Sequence, residues 1–300
     1  PAADVTYWVD APSDRRIVVD LPDAYLEEHR GLKQSARGLA KWISGESHRP
    51  VLNYFRAVTL LLERADAVVC STEDQAASIV RYNSNVHPIL DLHGEFEFLT
   101  PATRESGRLD IVWEGMTATL PGVRRMLPAL RSLARKRELR LHLVTDLDAP
   151  RYMNRFMYRR TEEIVEGWDI DIELHGWSAE TLVKVARSCD IAIVPVDLSN
   201  SLAVGKPENR MRIFWRLGLP VVVSATPAHL RAANRAGLGD GVVCSTIEDW
   251  KRALGELSSR PDLRLEVALA GQAAARSAYS DQFLAQRWDG LFESLHPAGL

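Results

Sequence analysis

Three residues able to hold an anion lie close together in the run Gly205-Lys206-Pro207-Glu208-Asn209-Arg210: Lys206, Asn209 and Arg210. Two cations and an amide on one turn can neutralise and orient a phosphate-type group. The flanking elements suit that task. Ile191-Ala192-Ile193-Val194, after Asp190, is apolar throughout and reads as a strand buried on both faces. Pro207 suits the first helical position, where its missing N–H has no intrahelical partner. Gly218 and Pro220 stop that helix before the strand Val221-Val222-Val223. The cationic loop is therefore expected between a strand's carboxyl end and a helix's amino end, where open parallel sheets bind ligands and N–H groups attract anions. On spacing alone, exposed helix-start cations account for Lys206 and Arg210 equally well.

The bulk numbers narrow the classes. Three hundred residues suit two domains or one large one, and 46% hydrophobic with 26% charged residues is ordinary for a globular chain. A net charge of -3 gives no general attraction to nucleic acid, so an anion site must be local. Cys70, Cys189 and Cys244 have neither disulfide nor metal spacing, which points to a reducing, cytoplasmic setting. No apolar run is long enough to span a bilayer.

Along the chain, Thr6–Val9 and Arg16–Val19 read as short strands and residues 24–64 as helix-rich. Ala67–Cys70 is a strand, Ser71 or Thr72 caps a helix with Glu73 and Asp74 in its first turn, and Val86–Leu90 is a strand. That makes about four strands where a dinucleotide-fold half has around six, so an upstream segment is expected to be missing. Residues 91–108 are polar with Gly and Pro and read as a linker. From Leu109 strands and helices alternate: a strand to Trp113, a helix with Val123, Met126, Leu127, Leu130 and Leu133 inward, and a strand Leu139–Thr145. A helix over Arg151–Glu166, a strand from Ile170 to Leu174, and a helix capped by Ser178 follow. Thr226-Pro227 starts a helix, Val242–Cys244 is a strand, and Ser245 with Glu248 spells a capping box. Such alternation implies a parallel sheet covered on both faces.

The segment from Asp190 to Val196, then Lys206-Pro207-Glu208-Asn209-Arg210, then a short helix closed by Gly218-Leu219-Pro220-Val221-Val222, resembles the nucleotide-sugar domain of two-domain (GT-B) glycosyltransferases, above all their retaining group 1. The resemblance covers roughly residues 66–295. It implies an α/β protein with two Rossmann-like domains: a partial acceptor-side domain over 1–100, a nucleotide-sugar domain over 101–280, and a terminal helix over 281–300 crossing back onto the first. The implied reaction moves a hexose from a nucleotide-diphosphate sugar to an acceptor in the interdomain cleft, with retention, and without metal or cofactor. Lys206 and Arg210 would neutralise the leaving diphosphate, as catalytic groups, while Asn209 and Gly115, with Thr117 in the loop after it, position the donor. Thr145, Asp146, Gly176 and Trp177 would line the nucleoside pocket.

Two departures stand out. Ile213 occupies the place of the family's Glu, with Glu208 out of register, and Thr117 and Thr119 replace the usual cations after Gly115, leaving Arg124 and Arg125 as the next ones. Asp146-Leu147-Asp148 and Asp169-Ile170-Asp171 spell the D-x-D that holds a metal in single-domain glycosyltransferases, but two Asp at that spacing arise easily by chance. The eight histidines show no ligand spacing, and His175 reads as a turn residue. Arg151, Arg155 and Arg159 fall on one face of the expected helix; a solvated face is the plain reading, and contact with a phosphorylated acceptor or the inner membrane face the functional one. Asp20 and Asp23 are expected at a strand end facing the cleft. A nucleotide-sugar epimerase and a non-catalytic binding module are the alternatives on the same fold.

Overall fold

The structure, a computed structural model, describes residues 5–10, 15–27, 42, 45, 49–51, 53–104, 107–151 and 157–295. The chain divides into two compact units: Pro1–Leu92, Ser201–Pro207 and Gln282–Leu300 in the first, His93–Asn200 and Glu208–Asp281 in the second.

In the first unit, strands β1 (Val18–Leu21), β2 (Ala67–Cys70) and β3 (Val86–Pro88) form a parallel sheet in that order. Alternation along β2 divides its core. Val68 and Cys70 pack with Leu21, Val58 and Leu62, whereas Ala67 and Val69 face Ile89 and Leu291, with Trp288 alongside. Thr72 caps the Glu73–Ile79 helix in a capping box with Gln75. Residues 5–9 are helical and not a strand. The i,i+4 pair Val5 and Val9 meets the same core cluster, a helical demand that overrides the β-preference of the local sequence. Of the helix-rich stretch 24–64, Tyr25–Glu27 is a 3-10 turn and Tyr54–Arg64 a helix capped by Asn53; much of the remainder lies outside the described residues.

The second unit is built on six parallel strands: β4 (Leu109–Glu114), β5 (Leu139–Thr145), β8 (Asp171–Gly176), β9 (Ile191–Val194), β10 (Val221–Ser224) and β11 (Val243–Cys244). Their order is β11-β10-β9-β4-β5-β8. The winding direction therefore reverses between β4 and β9, the switch point at which doubly wound sheets open a crevice. β9 and β10 are buried along their whole length, as the apolar runs Ile191–Val194 and Val221–Val223 require, with the buried Ser224 hydroxyl paired to the Val196 backbone. The Leu120–Ala134 helix runs through Pro128, with Val123, Met126, Leu127, Leu130 and Leu133 buried.

Three local expectations are corrected. Arg151–Glu166 is not one helix: β6 (Asp148–Arg151) pairs antiparallel with β7 (Met157–Arg160), and the helix covers only Thr161–Val165. Buried Thr161 anchors the hairpin base, its hydroxyl donating to the Asp146 carbonyl at 2.6 Å and its N–H to that of Leu147 at 2.9 Å. The arginine face is thus not formed; Arg159 lies on a strand and Arg155 outside the described residues. Pro207 does not open the helix, which spans Asn209–Arg216 with Glu208 at the N-cap. The capping box ahead of Ile247–Ser259 is formed by Thr246 and Asp249, one residue on from Ser245 and Glu248, because that helix begins at Ile247.

No described helix is long and apolar enough to cross a membrane. Cys70, Cys189 and Cys244 are free and buried. Residues 93–104 are strapped to the second unit: Leu99 donates to the Arg216 carbonyl and accepts from Gln272, and the Phe96 carbonyl accepts from Arg216.

Candidate functional site

At the switch point, β4 ends in Glu114-Gly115. A Cβ on Gly115 would lie 2.8 Å from Arg210 Nη1, 2.8 Å from the Trp113 ring and 2.9 Å from Thr119 Oγ1. Only a residue without a side chain lets the Arg210 guanidinium reach this strand end. There Arg210 Nη1 donates to the Glu114 carbonyl at 3.0 Å. The Glu114 carboxylate accepts from Trp177 Nε1 at 2.9 Å, although Trp177 is 54% exposed. Trp177 is fixed from behind as well, its N–H donating to the Thr145 carbonyl at 3.0 Å. The ends of β4, β5 and β8 and the start of the 209–216 helix thereby bring Glu114, Gly115, Thr145, Gly176, Trp177 and Arg210 together.

The electrostatics follow from partial burial. Desolvation raises the Glu114 pKa, while Arg210 and the Trp177 hydrogen bond pull it back. Burial lowers that of Arg210, and Glu114 opposes the shift. A half-buried guanidinium beside a carboxylate, at the mouth of a sheet, can meet an anion without first shedding a full water shell. The carboxylate and the indole add an acceptor and an exposed aromatic face. Such a group suits a ligand with an anionic centre, hydroxyls and a planar ring.

The other expected site residues fall as follows. Thr145 is fully buried, and its Oγ1 has no hydrogen-bond partner among the described residues. Asp146 is exposed, with its carbonyl held by Thr161. A Cβ on Gly176 would make only ordinary contact with Leu147, at 3.6 Å. Thr117 begins a 3-10 turn and is half-buried. Asn209 accepts from Arg212 at 3.1 Å through its side-chain oxygen. Lys206 belongs to the first unit, where its ammonium lies 3.6 Å from Asp23, while Gly205 accepts from Gln75 at 3.1 Å. Asp20, on β1 of the same unit, has its pKa raised by burial and by Asp91.

Glu208, the carboxylate nearest the place held by Ile213, is buried and accepts from the Tyr279 hydroxyl at 3.0 Å. Arg125 is paired with Asp197 at 2.9 Å. It borders a separate cavity of about 380 Å³ at the carboxyl ends of β9, β10 and β11, walled by Met126, Pro195, Ser224, Thr246 and Trp250. Sequence reading missed Glu114. The available signal was its place immediately before Gly115 at a strand terminus.

Two buried histidines in this unit set an acid limit. His229, bonded through Nδ1 to the Ser224 carbonyl at 2.8 Å, and His93 are both held down to about 4, chiefly by burial, with nearby arginines adding to the shift. As pH falls below the unfolded value of 6.5, the unfolded chain takes up these protons first. Stability is therefore intact above that value and lost progressively between 6.5 and about 4. Each residue is expected to remove roughly 2–3 kcal/mol by the lower end. Urea unfolding at about pH 7 and pH 4.5 measures the loss, which a His229→Asn variant should show to a smaller degree.

No family model matches the sequence, and no curated protein matches it. Solved structures do. HepE from Anabaena in complex with UDP aligns with a TM-score of 0.66 at 12% identity, over 94% of this chain and 73% of its own. WaaG, a glycosyltransferase involved in lipopolysaccharide biosynthesis, aligns at 0.57 and 15% identity over 84% and 72%. A TarM variant from S. aureus, in complex with fondaparinux, alpha-GlcNAc-glycerol and UDP, aligns at 0.57 and 12% identity over 82% and 48%. The chain thus spans about half of TarM and under three quarters of the other two. It has the fold of the GT-B glycosyltransferases, with helix-covered parallel sheets.

Proposed function

We propose that this protein transfers a hexose from a nucleoside-diphosphate sugar to an acceptor, with retention and with side chains in place of a metal. The observation that carries this is the Arg210 guanidinium seated over Gly115 at the sheet's switch point. Breaking the donor's glycosidic bond builds negative charge on the departing diphosphate. A fixed cation placed there lowers the barrier by stabilising the transition state more than the ground state. Arg210 takes this role, with Lys206 as a second cation and Asn209 as a positioning donor. Trp177 offers its exposed face to the base, and Thr145, Asp146 and Gly176 complete the nucleoside side with Thr117 in the loop after Gly115. Glu114 accepts from donor hydroxyls, a task that Glu208 cannot perform while it holds Tyr279 and that Ile213 cannot perform at all. No cofactor beyond the donor is called for.

Calorimetric titration with UDP, GDP and ADP tests the reading. One nucleotide should bind, and Trp177→Ala should weaken it by about 1–3 kcal/mol, the size of a base–aromatic stack. Equal, weak binding of all three that Trp177→Ala leaves unchanged would sink the proposal. A second reading, a module that binds a nucleotide without transferring the sugar, draws on the absent carboxylate at Ile213. Binding without donor hydrolysis or transfer by the full-length protein would favour it.

A further inference from the structure

On the face of the sheet formed by β4, β5 and β8, register brings together residues far apart in sequence. His142 lies directly across from Glu173, and Val144 across from His175, so His142, Glu173 and His175 project from the same side of β5 and β8. Their donor atoms lie within 4.8 Å of one another. His142 Nδ1 is 3.1 Å from His175 Nε2, and the rings stack with centroids 5.4 Å apart and planes 19° from parallel. Glu173 Oε2 is 3.8 Å from His142 Nδ1, and Oε1 is 3.7 Å from His175 Nε2.

Two ligand atoms bound tetrahedrally at about 2.0–2.1 Å from zinc stand about 3.4 Å apart. The spacings from His175 Nε2 to His142 Nδ1 and to Glu173 Oε1, 3.1 and 3.7 Å, bracket that value. The outer contacts also suit a metal. His142 Nε2 faces Asp110 Oδ1 at 2.9 Å, the carboxylate–imidazole pair that fixes the tautomer and turns the other nitrogen toward the ion. Arg140 Nη1 holds Glu173 Oε2 at 3.0 Å, while its Nε is neutralised by Asp171 at 2.7 Å. Glu173 Oε1 is thus the oxygen left to coordinate. His142 is buried, and Glu173 and His175 lead outward, which gives the cluster a buried floor and an open side.

The geometry points to a binding site for a zinc-class divalent ion at His142, His175 and Glu173, with Asp110 orienting His142. The ion ties edge strand β8 to β5 one residue before Gly176-Trp177. This assignment stands apart from the transfer reaction and does not rest on it.

Equilibrium dialysis of the full-length protein against Zn²⁺, followed by elemental analysis, should give one equivalent per chain. Co²⁺ should give the visible bands of a four-coordinate nitrogen–oxygen site. Glu173→Gln and His175→Gln should each weaken binding at least about 100-fold, and Asp110→Asn about 10- to 100-fold. Should His175→Gln fail to fold, Glu173→Gln, at the exposed edge, decides alone. Absence of a saturable equivalent in the wild type, or affinity unchanged by Glu173→Gln, overturns the assignment.

Discussion

Replacing Arg210 by alanine should lower turnover of the nucleoside-diphosphate sugar by about 100- to 1,000-fold, the loss found when a fixed donor to developing negative charge is removed. The stability cost should be small. Arg210 is only half-buried, and the bond it surrenders to the Glu114 carbonyl is a single hydrogen bond, about 1 kcal/mol net. Lysine should recover little, since an ammonium lacks the planar fork that reaches the β4 end and a phosphate together. Steady-state kinetics beside nucleotide affinity separates the roles. A larger fall in kcat than in UDP affinity places Arg210 in the transition state, and turnover within about threefold of wild type removes it from the mechanism.

Trp215→Ala should cost about 3–5 kcal/mol of unfolding free energy, at the upper end for a core substitution. Trp215 is fully buried, and its Nε1 has no hydrogen-bond partner among the described residues, so packing alone explains the loss. The fit depends on Gly271, where any side chain would overlap the Trp215 ring. That yields a reciprocal expectation. Gly271→Leu should be severely destabilising by itself, yet the double variant Trp215→Ala, Gly271→Leu should be more stable than the alanine variant, because one side chain fills the hollow left by the other. Urea unfolding of the four proteins checks both.

Where a run of residues answers to a single environment, the sequence could be read directly. Leu139–Thr145, Ile191–Val194 and the Thr226 cap fall where pattern and cap chemistry put them. Reading failed where distant partners decide. Arg151, Arg155 and Arg159 stand at helical spacing, but the backbone groups of 148–151 pair with those of 157–160 in a ladder that Thr161 anchors. Thr6–Val9 looks extended until Val5 and Val9, an i,i+4 pair, are seen to meet one core. The candidate site was legible in part. Gly115, Trp177 and Arg210 stood at expected strand and helix ends, yet their mutual contact through Glu114 needs the β4–β5–β8 register. The His142–Glu173–His175 cluster was beyond reach, since ligand spacing along one chain says nothing of ligands facing each other across two strands.

The backbone leaves one unit for the other after Leu92, Asn200, Pro207 and Asp281. No single nick can therefore free either half as a continuous polypeptide. Expressing the six-stranded half alone requires excising residues 201–207 and rejoining the ends. A stop codon after Asp281 would preserve every residue of that half, yet strip Leu291 and Trp288 from Ala67, Val69 and Ile89, leaving an oily face bare on a sheet far upstream in the chain.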